Sequence, residues 1–158
     1  MKNTFRVVLA SLGFALIMSA FAASKDPNIS AIKARQGDMY IRAHNLGPLV
    51  AMAKGKMPYD SALAAQLAGN LKLLLDLDTS RDWPAGSDNK AYPDKTAALP
   101  KIWTTYPEIG EYAKEYAKSV NELNEAAGES LEALQAKIGA VGESCKACHD
   151  EYEAEHHH

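Results

Sequence analysis

The segment Cys145-Lys146-Ala147-Cys148-His149 constrains this chain more than any other, because its spelling and its setting must both be met by one helix. C-x-x-C-H is the pattern through which haem c is attached: two thiols form thioethers with the haem vinyl groups, and the following histidine faces the iron. On a helix, Cys145, Cys148 and His149 fall within a sector of about 100°. Both cysteines continue an apolar seam, Leu131, Leu134, Ile138, Val141, Cys145, Cys148 and Tyr152, spaced for a buried helix face. A macrocycle fixed there is carried inward, into a low-dielectric pocket with controlled access to the iron. The chain therefore has to fold so that one helix face and its neighbours enclose one covalent haem c per chain, with His149 as an axial ligand.

Other uses of the same residues are weighed by position. The chain holds 2 cysteines, so a structural disulfide between Cys145 and Cys148 is one alternative. A redox dithiol normally sits at a helix N-terminus, which lowers the thiol pKa, whereas this pair lies near a helix C-terminal end. Zinc lacks a convincing fourth ligand. His44, the one histidine outside the motif and the terminal tail, reads as a solvated or packed helix residue.

Three more helical patterns precede the motif helix. The first opens at Asp26-Pro27, an N-cap residue followed by proline at the first helical position. Its seam is Ile29, Ile32, Gln36, Met39, Ala43, Leu46, Val50 and Ala53, and Gly47-Pro48 predicts an interruption and a kink. The second begins near Asp60 and is expected to bury Leu63, Leu67, Leu71, Leu74 and Leu77. The third starts around Pro107, carries Ile109, Tyr112, Tyr116, Val120, Leu123 and Ala127, and ends at Gly128 as a C-cap residue. The motif helix is expected over 129–155. Between the second and third, residues 81–100 hold Trp83-Pro84, Gly86-Ser87, Pro93 and Pro100 and read as a long ordered loop of the kind that is often functional. Four amphipathic helices with two short connections and one long one predict an all-α fold, an antiparallel four-helix bundle.

The N-terminus has a separate purpose. Lys2 and Arg6 precede an apolar run from Val7 to Phe21, and Ala20-Phe21-Ala22 supplies small residues for cleavage. That is the layout of a secretory signal peptide over residues 1–22, removed after Ala22, and it places the mature chain in the periplasm. The run is shorter than the ~20 residues that cross a bilayer. Residues 23–155 then form one domain by size. His156, His157 and His158 form a terminal tail, native or a tag remnant, outside the fold. Net charge is -3 with no basic run, so neither nucleic acid nor a membrane surface is an expected partner.

With the motif in place, further segments resemble the cytochrome c-prime family, and the likeness covers essentially all of 23–155. It rests on Ala34-Arg35-Gln36, on Met52-Ala53-Lys54-Gly55 with Pro58-Tyr59-Asp60, on Pro100-Lys101-Ile102-Trp103, and on Cys145-Lys146-Ala147-Cys148-His149-Asp150. The resemblance implies that Arg35 and Gln36 lie beside the haem, with Arg35 bonding a propionate, and that Thr96 of the long loop reaches the propionate edge. The alternative for Arg35 is an ordinary solvated helix residue. The resemblance also puts Met39 at the distal position, either as a sixth iron ligand or as a steric plug, against the plainer use of methionine as a core gap-filler. Two functions follow: binding of nitric oxide or carbon monoxide at the iron, or single-electron transfer by a low-spin Met/His-ligated carrier with an unknown redox partner. A homodimer through the first two helices is implied as well. No acid-base pair stands near the motif, so the protein is not expected to be an enzyme. A non-haem alternative is an exported helical interaction protein with a disulfide. One position departs from the family pattern: where a lysine or arginine is usual, four residues after the axial histidine, this chain has Glu153.

Overall fold

A computed structural model describes residues 26–155. The expected signal peptide, 1–22, and the tail, 156–158, lie outside the described residues. Helix α1 spans Pro27–Ala53, α2 Ser61–Leu73, α3 Lys101–Thr104, α4 Glu108–Ala126 and α5 Leu131–Tyr152. The four long helices form the expected antiparallel four-helix bundle. In it α4 packs on α5 and α2, and α1 on α2 and α5.

Local chemistry sets the helix starts. The Asp26 carboxylate accepts from the Asn28 amide at 2.9 Å, with Pro27 at the first helical position. Asp60 accepts from Leu63 N at 3.0 Å, and the Ser130 hydroxyl accepts from Ala133 N at 3.1 Å. Each satisfies an amide that the first helical turn leaves without a partner. After α1 the chain reverses through Gly55, whose φ of 67° is open to glycine at little cost.

The apolar core joins Leu49, Met52, Ala64, Leu67, Ala68, Leu71, Val120, Leu123, Ala127, Leu134 and Val141, with Cys145 packed against it. These residues come from α2, from the C-terminal half of α1, from the end of α4 and from the N-terminal half of α5. The core thus fills one end of the bundle, and the motif begins where it stops.

Several expectations are corrected. The helix α1 runs through Pro48 without a break. Proline deprives one carbonyl, that of His44, of its usual donor, but His44 is exposed, so water can serve it, and buried Leu49 and Met52 hold the following turn in the core. The α1 seam is turned from the expected one: Ala31, Ile32, Arg35, Asn45, Leu49 and Met52 are buried, while Gln36, Met39 and Ala43 are exposed. Two buried polar residues, Arg35 and Asn45, took positions that an apolar count passes over. Leu77 is not buried but 55% exposed, because α2 ends at Leu73 and continues only as a 3₁₀ turn, Leu74–Asp76. The motif helix stops at Tyr152, where Glu153 turns to extended backbone. The short helix α3 was not expected. Gly128 follows α4 as expected but without positive φ; its role is spatial, since a Cβ there would lie 2.8 Å from the Ala65 Cβ.

Candidate haem c attachment site

The site is built on the last turns of α5. Cys145 and Cys148 are both half-buried free thiols, so the disulfide alternative is not what the fold adopts. Burial pushes both thiol pKa values up, which keeps them neutral instead of as a metal-binding thiolate pair. Among the described residues no group of three or more His, Cys, Asp or Glu is placed to hold a metal ion.

His149 has an exposed side chain, and its Nδ1 lies 3.0 Å from Glu153 Oε2. A ring with one nitrogen facing a carboxylate keeps the other, Nε2, for a metal, as histidine ligands ordinarily do. The chemistry of the donor set therefore fits haem c: two thiols one helical turn apart, reduced and facing inward, then an imidazole with one nitrogen directed to a carboxylate.

Arg35 and the long loop form a second layer beside the motif end. Arg35 is only 4% exposed, which rules out the solvated alternative. Its guanidinium donates to Ser87 Oγ at 2.7 Å, Ser87 O at 2.5 Å, Thr96 Oγ1 at 2.9 Å and Asp82 O at 3.3 Å. Its Cζ also lies 4.9 Å from the Trp83 ring centroid and 5.9 Å from that of Trp103, distances at which a cation is attracted to the ring face. Burial lowers its pKa, and Asp82 and Asp88 oppose the shift. Gln36 donates to Lys95 O at 2.8 Å. Arg35, Gln36 and Thr96 are therefore brought together, and an open cavity of about 440 Å³ beside them is lined by Gln36, Asn89, Lys95, Thr96, Ala97 and Glu155.

The loop is closed by the far end of the chain. Leu99 N donates to Tyr152 O at 2.9 Å and Ala154 N to Ala97 O at 2.8 Å, around an antiparallel bridge between Ala98 and Glu153. Met39 is 43% exposed, so core packing does not account for it.

Two residues at the site were missed in the sequence. Arg42, three positions after Met39, pairs with Asp38 at 2.9 Å, donates to Leu74 O at 3.0 Å and has its Cζ 5.2 Å from the Tyr116 ring centroid. Its positive charge is felt at the Cys145 thiol, where it opposes the effect of burial. Ser87, fully buried, had no signal beyond its place in a Gly-Ser turn.

A helical bundle with C-x-x-C-H on the inward seam of its last long helix defines the class: a bundle-type mono-haem c-type cytochrome. The family model described as cytochrome C' matches residues 30–153. A relative named cytochrome c', from Cereibacter sphaeroides, is 37% identical over 147 residues, covering 93% of this chain and 96% of the relative. The solved structure of cytochrome c' from Rhodobacter Spheriodes superposes with a TM-score of 0.80 at 34% identity, covering 84% of this chain and 100% of that one. A ferrous variant of cytochrome c prime from Alcaligenes xylosoxidans with bound NO is 31% identical, with a TM-score of 0.69 over 80% of this chain and 94% of that one. The chain belongs to the cytochrome c' family, whose members bind haem c covalently. Among the described residues no helix is long and apolar enough to cross a membrane.

Proposed function

We propose that this protein is a periplasmic mono-haem cytochrome that binds diatomic gases, nitric oxide or carbon monoxide, at the haem iron. The observation that carries the reading is the inward pair of free thiols on α5, with His149 next to them and its Nδ1 turned to Glu153. Cys145 and Cys148 would hold the haem through thioether bonds, and His149 Nε2 would ligate its iron. The haem, when bound, supplies iron that takes a diatomic ligand or exchanges one electron. Arg35 first fastens the long loop. Beside it, the cavity lined by Gln36, Lys95 and Thr96 takes the propionate end, where Lys95 supplies a positive charge and Gln36 and Thr96 supply polar groups.

Met39 separates gas binding from the second reading, an electron carrier with Met39 on the iron. Its exposure outside the core supports a role toward the haem and not as core filler. Export through residues 1–22 accounts for the periplasmic location, and 23–155 is the working domain. Pairing through the first two helices is supported by Tyr40 at 74%, Ile41 at 48% and Leu73 at 68% exposure, large apolar groups on α1 and α2.

The ferric and ferrous optical spectra of the purified holoprotein test the reading. A five-coordinate high-spin iron that takes up carbon monoxide is expected, and the double variant Cys145→Ala, Cys148→Ala should lose haem on acid-acetone extraction. A six-coordinate low-spin iron that excludes carbon monoxide selects the carrier, and a colourless wild type overturns both.

A further inference from the structure

Glu153 stands against His149 at helical i,i+4 spacing, on backbone that is also held from outside α5. The helix has ended at Tyr152, and Glu153 has φ −110° and ψ 137°. Its backbone is fixed from two directions. Glu153 N donates to His149 O at 2.9 Å, tying it to α5. The bridge to Ala98, flanked by the hydrogen bonds of Leu99 and Ala154, ties it to the long loop. Thr96, two residues before that bridge, accepts from Arg35 of α1 at 2.9 Å. A carboxylate whose backbone is held this way arrives at the imidazole with little orientation left to lose on binding.

A histidine that binds iron through one nitrogen keeps its proton on the other, and a carboxylate accepting that proton fixes the ring and raises its basicity as a ligand. We infer that Glu153 is a positioning residue for the axial histidine: its carboxylate accepts Nδ1–H of His149, orients Nε2 toward iron and strengthens its donation, favouring ferric over ferrous iron. This rests on the haem reading above. The resemblance to the family implies a cationic residue at this position, where this chain carries Glu153. Asp150, one position after His149, is paired with Lys146, so it offers a nearby negative charge that is otherwise engaged.

The test uses holoproteins of the wild type, Glu153→Gln, Glu153→Leu and Asp150→Asn, read by reduction potential and by the ferrous iron–histidine stretch in resonance Raman. Gln keeps a neutral acceptor and Leu removes it. The potential should rise, and the stretch should fall in frequency, in the order wild type, Gln, Leu, with the Asp150→Asn stretch unmoved. A stretch that stays at the wild-type frequency in both Glu153 variants overturns the inference, whether or not the potential moves, since a bare change of charge would move the potential alone. Should the Leu variant fail to fold, the near-isosteric Gln variant decides by the same criterion. Pyridine haemochrome spectra of the wild type keep the two readings apart: absence of haem c overturns the function itself, whereas haem c with an unmoved stretch overturns only the role of Glu153.

Discussion

Arg35 holds Ser87 twice, through the side-chain hydroxyl at 2.7 Å and the backbone carbonyl at 2.5 Å, across 52 residues of sequence. A cation that is 4% exposed and bonded to neutral oxygens spends its hydrogen-bonding capacity on position. It draws the loop over α1 and leaves Thr96 beside the cavity.

Replacing Arg35 by Leu should cost about 2–4 kcal/mol of unfolding free energy, because the buried oxygens of Ser87 and Thr96 lose their charged donor. Chemical denaturation of the holoprotein measures it. Arg35→Lys should fall between, since an ammonium lacks the planar fork that reaches Ser87 and Thr96 together. A variant as stable as the wild type would show that the bonds from Arg35 to Ser87 and Thr96 do not hold the loop.

Arg42 and Asp38 form an ion pair whose side chains are 17% and 12% exposed, and Asp38 Oδ1 is buried without a hydrogen-bond partner. Burial lowers the Arg42 pKa, but contacts with Asp38 and Tyr116 outweigh it and the pKa is raised. Removing the cation alone strands the carboxylate, so Arg42→Leu should destabilise by about 3 kcal/mol. The double variant with Asp38→Asn should recover part of that loss in the same unfolding experiment.

Met39→Leu keeps nearly the same volume and removes the sulfur, so stability should change by less than about 1.5 kcal/mol. Any low-spin fraction in the wild-type spectrum should become high-spin, and carbon monoxide should bind faster by stopped flow. A wild type already fully high-spin, with unchanged binding after substitution, assigns Met39 as a steric plug.

Gly128→Ala should cost about 1–3 kcal/mol through overpacking. The added methyl would stand 2.8 Å from the Ala65 Cβ and 3.4 Å from Ser61 O, both on α2. Thermal unfolding reads the loss, and Gly128→Ala with Ala65→Gly should relieve it.

The bundle and the motif could be read from the chain because both are periodic. Leu134, Val141 and Tyr152 on α5, and Val120, Leu123 and Ala127 at the end of α4, are buried where an apolar seam puts them. The α1 face could not be read the same way. Arg35 and Asn45 are buried through partners on other segments: Arg35 through Ser87 and Thr96, Asn45 through a hydrogen bond from Asn70 at 2.9 Å. A one-dimensional pattern carries no record of those partners, so it favoured the neighbouring face with Gln36 and Met39. The contact between His149 and Glu153 was hidden for a related reason. Its four-residue spacing was visible, but the end of α5 at Tyr152 and the bridge to Ala98 are made by tertiary pairing.

The fastening of the loop also bears on how the molecule meets proteases. Lys90 and Lys95 are exposed basic residues in a segment of turns, the sort of place where chains are commonly nicked. Yet Asn89 N is bonded to Ala98 O, Lys95 O accepts from Gln36, and the next residues are pinned to α5. A peptide bond there reaches a protease cleft only after this segment lifts from α1 and from the end of α5 together. Its susceptibility is therefore set by the opening free energy of a cooperative unit, in place of the accessibility of two side chains.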